Sequence, residues 1–98
     1  MESRESVLSR LLEHRQTIRR LGVRRLGLFG SVARGEGRAD SDLDFLVELE
    51  HDGFDAYMNV KFFLEDLFQR PVDLVLADTI KPRLRDVILK EAVYAQGL

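Results

Sequence analysis

Two aspartates one residue apart, Asp42 and Asp44, open an apolar run, and a Gly30-Ser31 pair precedes them with ten residues between Ser31 and Asp42. In an extended strand alternate side chains share a face, so both carboxylates point one way while Leu43, Phe45 and Val47 fill the other. Carboxylates this close repel each other and are costly to desolvate, and a fold that keeps them uses a cation to neutralise them. Hard oxygen ligands suit magnesium. A glycine lets backbone approach a ligand closely, and the following serine opens a short helix whose free N–H groups face an anion. A Gly-Ser pair alone is only a turn. Its spacing to Asp42 and Asp44, with strands expected on both sides, is what reads as phosphate and metal chemistry.

Asp73 is the third informative residue, an acid within Val72-Asp73-Leu74-Val75-Leu76. Taken alone it reads as an aspartate paired with a buried arginine or capping a turn. Beside the strand of Asp42 and Asp44 it completes a three-carboxylate cluster able to hold two magnesium ions, an arrangement that stabilises the attacking and leaving oxygens of an in-line phosphoryl displacement. Arg34 and Arg38, in the same glycine-rich loop, are candidate contacts for phosphate oxygens, as are Lys81 and Arg83 further on; the alternative for each is a solvated surface cation. His14 and His51 lack the spacing of a metal-binding pair.

The elements that must position these residues follow from periodicity and breakers. Val7, Leu8, Leu11, Leu12, Ile18 and Leu21 recur at helical spacing, with Ser3 or Ser6 as cap and Gly22 as stop, which predicts one helix over about 6–21. Residues 23–29 read as a strand, 30–41 as a loop and 42–49 as a second strand. A helix from Phe54, with Phe54, Tyr57, Met58, Val60, Leu64, Leu67 and Phe68 as its apolar stripe, ends before Pro71. Residues 72–76 form a third strand, and Pro82 begins a last helix bearing Leu84, Val87, Ile88 and Ala92. This order is too short for a doubly wound nucleotide fold. It fits an α+β (mixed α/β) chain, a small mixed β-sheet with helices packed against it, as one domain over residues 1–98.

At 15 basic against 17 acidic residues the net charge is −2, which argues against broad electrostatic affinity for nucleic acid. Arg15, Arg19, Arg20, Arg24 and Arg25 cluster locally and read as a solvated face. The absence of cysteine excludes disulfides and thiolate zinc sites and suits a reducing compartment. The charged start lacks a signal-peptide core, and no apolar run approaches the roughly 18 residues a membrane span needs. A cytoplasmic location away from membranes is expected.

The pattern Gly30-Ser31-x10-Asp42-x-Asp44, with Gly35 and Ser41 inside it and Val72-Asp73-Leu74-Val75 after it, resembles the nucleotidyltransferase superfamily related to DNA polymerase β. It is most similar to the minimal nucleotidyltransferases (MNT), which comprise little more than the catalytic palm, and the resemblance covers essentially the whole chain. It implies transfer of a nucleoside monophosphate, AMP from ATP, to a hydroxyl with loss of pyrophosphate. Asp42 and Asp44 match the family's first two magnesium ligands. Asp73 matches the third, which holds the metal nearest the acceptor and takes the acceptor's proton directly or through water. Gly30 and Ser31 match the residues that bind the β and γ phosphates.

Three readings remain open at this point. The first is an enzyme modifying a protein side chain, and the second an enzyme acting on a small molecule or an RNA end. The third is a catalytically idle antitoxin or binding module. A chain nearly consumed by the palm leaves no domain to hold a small acceptor, so the acceptor is expected on a partner or across a homodimer. Stand-alone members resemble antitoxins of HEPN/MNT pairs, which implies a tyrosine of a HEPN-type toxin as acceptor.

Overall fold

The computed structural model describes residues 3–37, 42–51 and 53–95. Strands β1 (Val23–Phe29), β2 (Leu43–Leu49), β3 (Val72–Leu76) and β4 (Val93–Tyr94) form one sheet in the order β3-β2-β1-β4. β1 is antiparallel to both its neighbours, and β3 runs parallel to β2. The period-2 alternation of the strands divides their residues cleanly. Leu26 pairs with Val47, Leu28 with Phe45, Phe45 with Leu74 and Leu43 with Val72, so one face is continuous hydrocarbon, each residue at most 4% exposed.

Helices α1 (Arg4–Glu13), α2 (Arg15–Arg20) and α4 (Phe54–Phe68) seal that face through Val7, Leu11, Ile18, Val60, Leu64 and Phe68. Phe45 stacks on Phe68 with ring centroids 6.0 Å apart, a contact contributing about 0.5–1.5 kcal/mol beyond simple area burial. The opposite face carries Gly27, Asp44, Leu46, Glu48, Asp73 and Tyr94 by the same register. Gly27 is small for a reason: a Cβ there would meet the Tyr94 ring at 3.1 Å.

Two crossovers join parallel strands, β2 to β3 through α4 and β3 to β4 through α5 (Pro82–Glu91). They traverse the sheet in opposite directions. The usual right-handed sense of each therefore puts α5 on the face away from α4, consistent with Leu46 being 1% exposed although it lies outside the main core cluster. Because β4 runs parallel to β2, α5 returns to the end of the sheet where β2 begins. That brings its last turn to the aspartates and leaves Lys81 and Arg83, candidate phosphate contacts, at the other end of the helix.

Specific polar contacts fix the start of β3. The Val72 N–H donates to Glu65 at 3.1 Å, the Leu43 N–H donates to the Pro71 carbonyl at 3.1 Å, and the Tyr57 hydroxyl donates to the Leu74 carbonyl at 2.5 Å. Glu65 is thus half-buried and structural. Two other expectations change. The first helix is two, kinked at His14, whose Nδ1–H donates to the Arg10 carbonyl at 2.9 Å in competition with its own backbone N–H. The apolar stripes are also narrower than their spacing suggests: Leu12, Phe54, Leu84 and Val87 are exposed, and no residue of α5 is buried. Strand β2 begins at Leu43, one residue later than expected, and β4 adds a strand after Ala92 turns extended. Among the described residues no helix is long and apolar enough to cross a membrane.

Helix α4 ends with Gln69 in the left-handed region, φ 53° and ψ 42°, its N–H donating to the Glu65 carbonyl. Glycine occupies that conformation without the Cβ penalty. Gln69→Gly should therefore raise stability by about 0.5–1 kcal/mol in urea unfolding, despite losing the side-chain bond to Asp66.

Candidate active site

β2 is a central strand, and the register sets Asp44 between Phe29 on one side and Asp73 on the other. Neighbouring strands lie about 4.8 Å apart, so Asp44 and Asp73 are adjacent on one face of the sheet. Asp42, two residues before Asp44, precedes the strand and is exposed, as is Asp73; Asp44 is half-buried. Asp73 is the second residue of an edge strand and opens to solvent, although its neighbours Val72 and Leu74 are buried.

The environment of Asp44 is hostile to its charge. Burial chiefly, then the nearby charges of Asp73, Asp42 and Glu91, push its carboxyl above the ordinary aspartate range, and Arg34 opposes them only in part. Carboxylates so arranged without a counter-ion are a strained set that a divalent cation relieves. Among the described residues no three acidic or imidazole side chains are grouped closely enough to hold a metal ion, so the three-carboxylate cluster expected of Asp42, Asp44 and Asp73 is not assembled. The donor set, all carboxylate oxygen with no thiolate or imidazole, fits a hard cation.

Gly30 opens the short helix α3 (Gly30–Ala33) with φ +79°, and the Asp44 carboxylate lies where a Cβ on Gly30 would stand. Backbone and carboxylate are in direct contact, so the glycine-serine turn and the acidic strand adjoin. Ser31 is the second residue of α3 and half-buried; its carbonyl accepts the Glu36 N–H at 2.8 Å, folding the loop back. Gly37 completes the fold-back, since a Cβ there would meet a Val32 methyl at 2.5 Å. From α1, Arg4 Nη1 donates to the Ala33 carbonyl at 3.1 Å and ties down the end of α3.

Arg34 lies beside the site but is engaged: its Nε donates to Glu36 at 2.9 Å and its Nη1 to Glu91 at 2.6 Å. The same Glu91 oxygen accepts the Gly30 N–H at 2.6 Å. Arg38 falls outside the described residues. Glu91 and Arg4 are the two site residues the motif reading missed. Glu91 did leave a signal, because an acid in the last turn of a helix opposes the helix dipole, and a broken local rule often marks a functional position. Elsewhere, a 490 Å³ cleft lined by Leu49, Gly53, Tyr57, Leu76 and Asp78 lies at the opposite end of β2 and β3, and none of Gly30, Ser31, Asp42, Asp44 or Asp73 lines it.

Residues 8–95 match the model of the nucleotidyltransferase domain family. The protein adenylyltransferase MntA of Thermococcus cleftensis is 38% identical over 92 residues, covering 92% of this chain and 93% of its own. A solved structure provisionally named a minimal nucleotidyltransferase is 41% identical, with a TM-score of 0.73 and coverage of 88% of this chain and 93% of that one. A tri-AMPylated HEPN toxin in complex with MNT antitoxin from Shewanella oneidensis aligns with a TM-score of 0.66 at 17% identity, over 94% of this chain and 73% of that one, a likeness of fold.

Two outcomes follow from the packing of Asp44. Gly30→Ala drives a Cβ into the carboxylate and strains a left-handed backbone, and should cost about 1–2 kcal/mol or more in urea unfolding. Asp44→Asn should melt higher than the unsubstituted chain in EDTA at neutral pH. The folded carboxyl titrates above its unfolded value of 3.8, so its penalty is full at neutral pH and fades as pH falls through the raised folded value. The difference in melting temperature between the two chains should therefore close in acid.

Proposed function

Since the chain belongs to the nucleotidyltransferase domain family, with MntA-type minimal nucleotidyltransferases as relatives, we propose that it is a magnesium-dependent protein adenylyltransferase that moves AMP from ATP to a tyrosine hydroxyl of a HEPN-type toxin and so acts as its antitoxin. The observation that carries this reading is the Asp44–Asp73 register pair set against Gly30. The name of the Thermococcus relative supports a protein as acceptor, and the MNT–HEPN complex supports the partner.

In this reading Asp42, Asp44 and Asp73 hold the magnesium ions. When bound, the ions neutralise the triphosphate and stabilise the charge that develops on the attacking and leaving oxygens. The remaining work falls to the chain. Gly30 and Ser31 present backbone and hydroxyl groups to the β and γ phosphates, and Arg34 adds a cation there. Arg38, from the same loop, is a further phosphate contact in this proposal. The tyrosine oxygen forms a bond to the α-phosphorus, the bond from that phosphorus to the pyrophosphate oxygen breaks, and Asp73 or a water accepts the tyrosine proton. Binding the leaving pyrophosphate through fixed backbone donors avoids reorganisation at the moment of transfer.

Incubation with a HEPN-type partner, labelled ATP and magnesium, followed by peptide mass spectrometry, checks the proposal. AMP should appear on a partner tyrosine. Asp42→Asn, Asp44→Asn and Asp73→Asn should each slow transfer by about a hundredfold or more, corresponding to roughly 3 kcal/mol of transition-state stabilisation. Equal inhibition of the partner by the unsubstituted chain and by the Asp42→Asn, Asp44→Asn double variant, without added mass, would establish an idle binding module in its place.

A further inference from the structure

Glu91 is 61 residues from Gly30 in sequence, yet one of its carboxylate oxygens accepts from both the Gly30 N–H and the Arg34 guanidinium, each at 2.6 Å. These are two of the donors that the proposed function assigns to the triphosphate. A single anionic oxygen shared between a backbone N–H and an arginine is also the way a phosphate oxygen would be held. Its side chain is 19% exposed and that of Arg34 47%, so water reaches the pair and the contact is exchangeable, unlike a sealed ion pair. The carboxylate also adds a further negative charge to a face that already carries Asp42, Asp44 and Asp73.

We propose that Glu91 is a built-in competitor for the phosphate subsite: in the nucleotide-free chain its carboxylate occupies Gly30 N–H and Arg34, and the triphosphate must displace it to bind. This rests on the reading of Gly30 and Arg34 as phosphate contacts. Glu91 therefore sets the affinity for nucleotide, holding Arg34 aligned while the subsite is empty and repelling any polyphosphate that fails to bring enough cation with it. It touches the donors and not the reacting atoms, so it tunes binding and leaves the chemical step to the aspartates. α5 becomes the element through which nucleotide occupancy is felt, because displacing Glu91 releases the last turn of that helix from the β1–α3 junction.

Calorimetric titration of the full chain with the magnesium complexes of AMP-PNP and of inorganic tripolyphosphate tests the inference. Glu91→Gln keeps an oxygen acceptor for Gly30 and removes the charge. It should tighten both probes by about three- to tenfold. Glu91→Asp, too short to reach both donors, should tighten them in the same direction, and adenosine binding should not change. Asp86→Asn, a charge removed elsewhere on α5, should leave affinity unaltered, which separates local competition from a general charge effect. In the Arg34→Ala background the gain from Glu91→Gln should shrink, as coupling through a shared partner requires. Unchanged or weaker binding by Glu91→Gln, or an equal gain from Asp86→Asn, would overturn the inference while leaving the site reading intact. Failure of the unsubstituted chain and Glu91→Gln alike to bind either probe would overturn both.

Discussion

The contact between the Asp44 carboxylate and the backbone of Gly30 is the constraint on which the site depends. It requires a residue without a side chain at position 30 and a backbone in the left-handed region there, and it requires Asp44 to stand at the centre of the sheet. Everything around it can be read as support. Arg4 ties the end of α3, Gly37 lets the loop fold back on Val32, and Glu65 anchors the strand that places Asp73 beside Asp44. The hydrophobic face of the sheet supplies the rigidity, since Leu43 and Phe45 flank Asp44 in sequence and are fully buried on the other side.

That division of labour explains why a strand can carry such unfavourable charge. Repulsion among Asp42, Asp44 and Asp73 destabilises the cation-free fold, and the apolar face beneath offsets it. A site relaxed without its ligands would hold its carboxylates apart in low-energy positions and would have little to gain from binding metal and triphosphate. Under the proposed function, the strain would be stored where metal and triphosphate relieve it. Glu91 fits the same logic from the phosphate side, its charge held close by the Gly30 N–H and by an Arg34 guanidinium it shares with Glu36.

Much of this was legible from the residues. The strand of Asp42 and Asp44 was readable because period-2 alternation is unambiguous when one face is Leu43, Phe45 and Val47, and the glycine-serine turn was readable only through its ten-residue spacing to Asp42. The mixed sheet followed from the element order. The kink at His14 was hidden because Val7, Leu11 and Ile18 stay on one side across it, so the apolar periodicity records no break. β4 was hidden because two residues carry no period. Glu91 left a signal as an acid in a helix's last turn, but 61 residues separate it from Gly30 and nothing in the sequence paired the two; the exposure of Phe54, Leu84 and Val87 was hidden because spacing predicts a face without saying that anything covers it. Arg38 stands as a reading of the sequence alone.

The central claim, that the acidic strand ends and the glycine-serine turn form one metal–nucleotide site, is tested most directly by paramagnetic broadening. Manganese in place of magnesium, added with AMP-PNP to the isotope-labelled chain, should broaden the backbone amide signals of Gly30, Ser31, Asp44 and Asp73 first. Those of Tyr57 and Thr79, beside the cleft at the other end of the sheet, should stay sharp. Broadening centred on Tyr57 and Thr79, or spread evenly over the surface acids, would contradict the account.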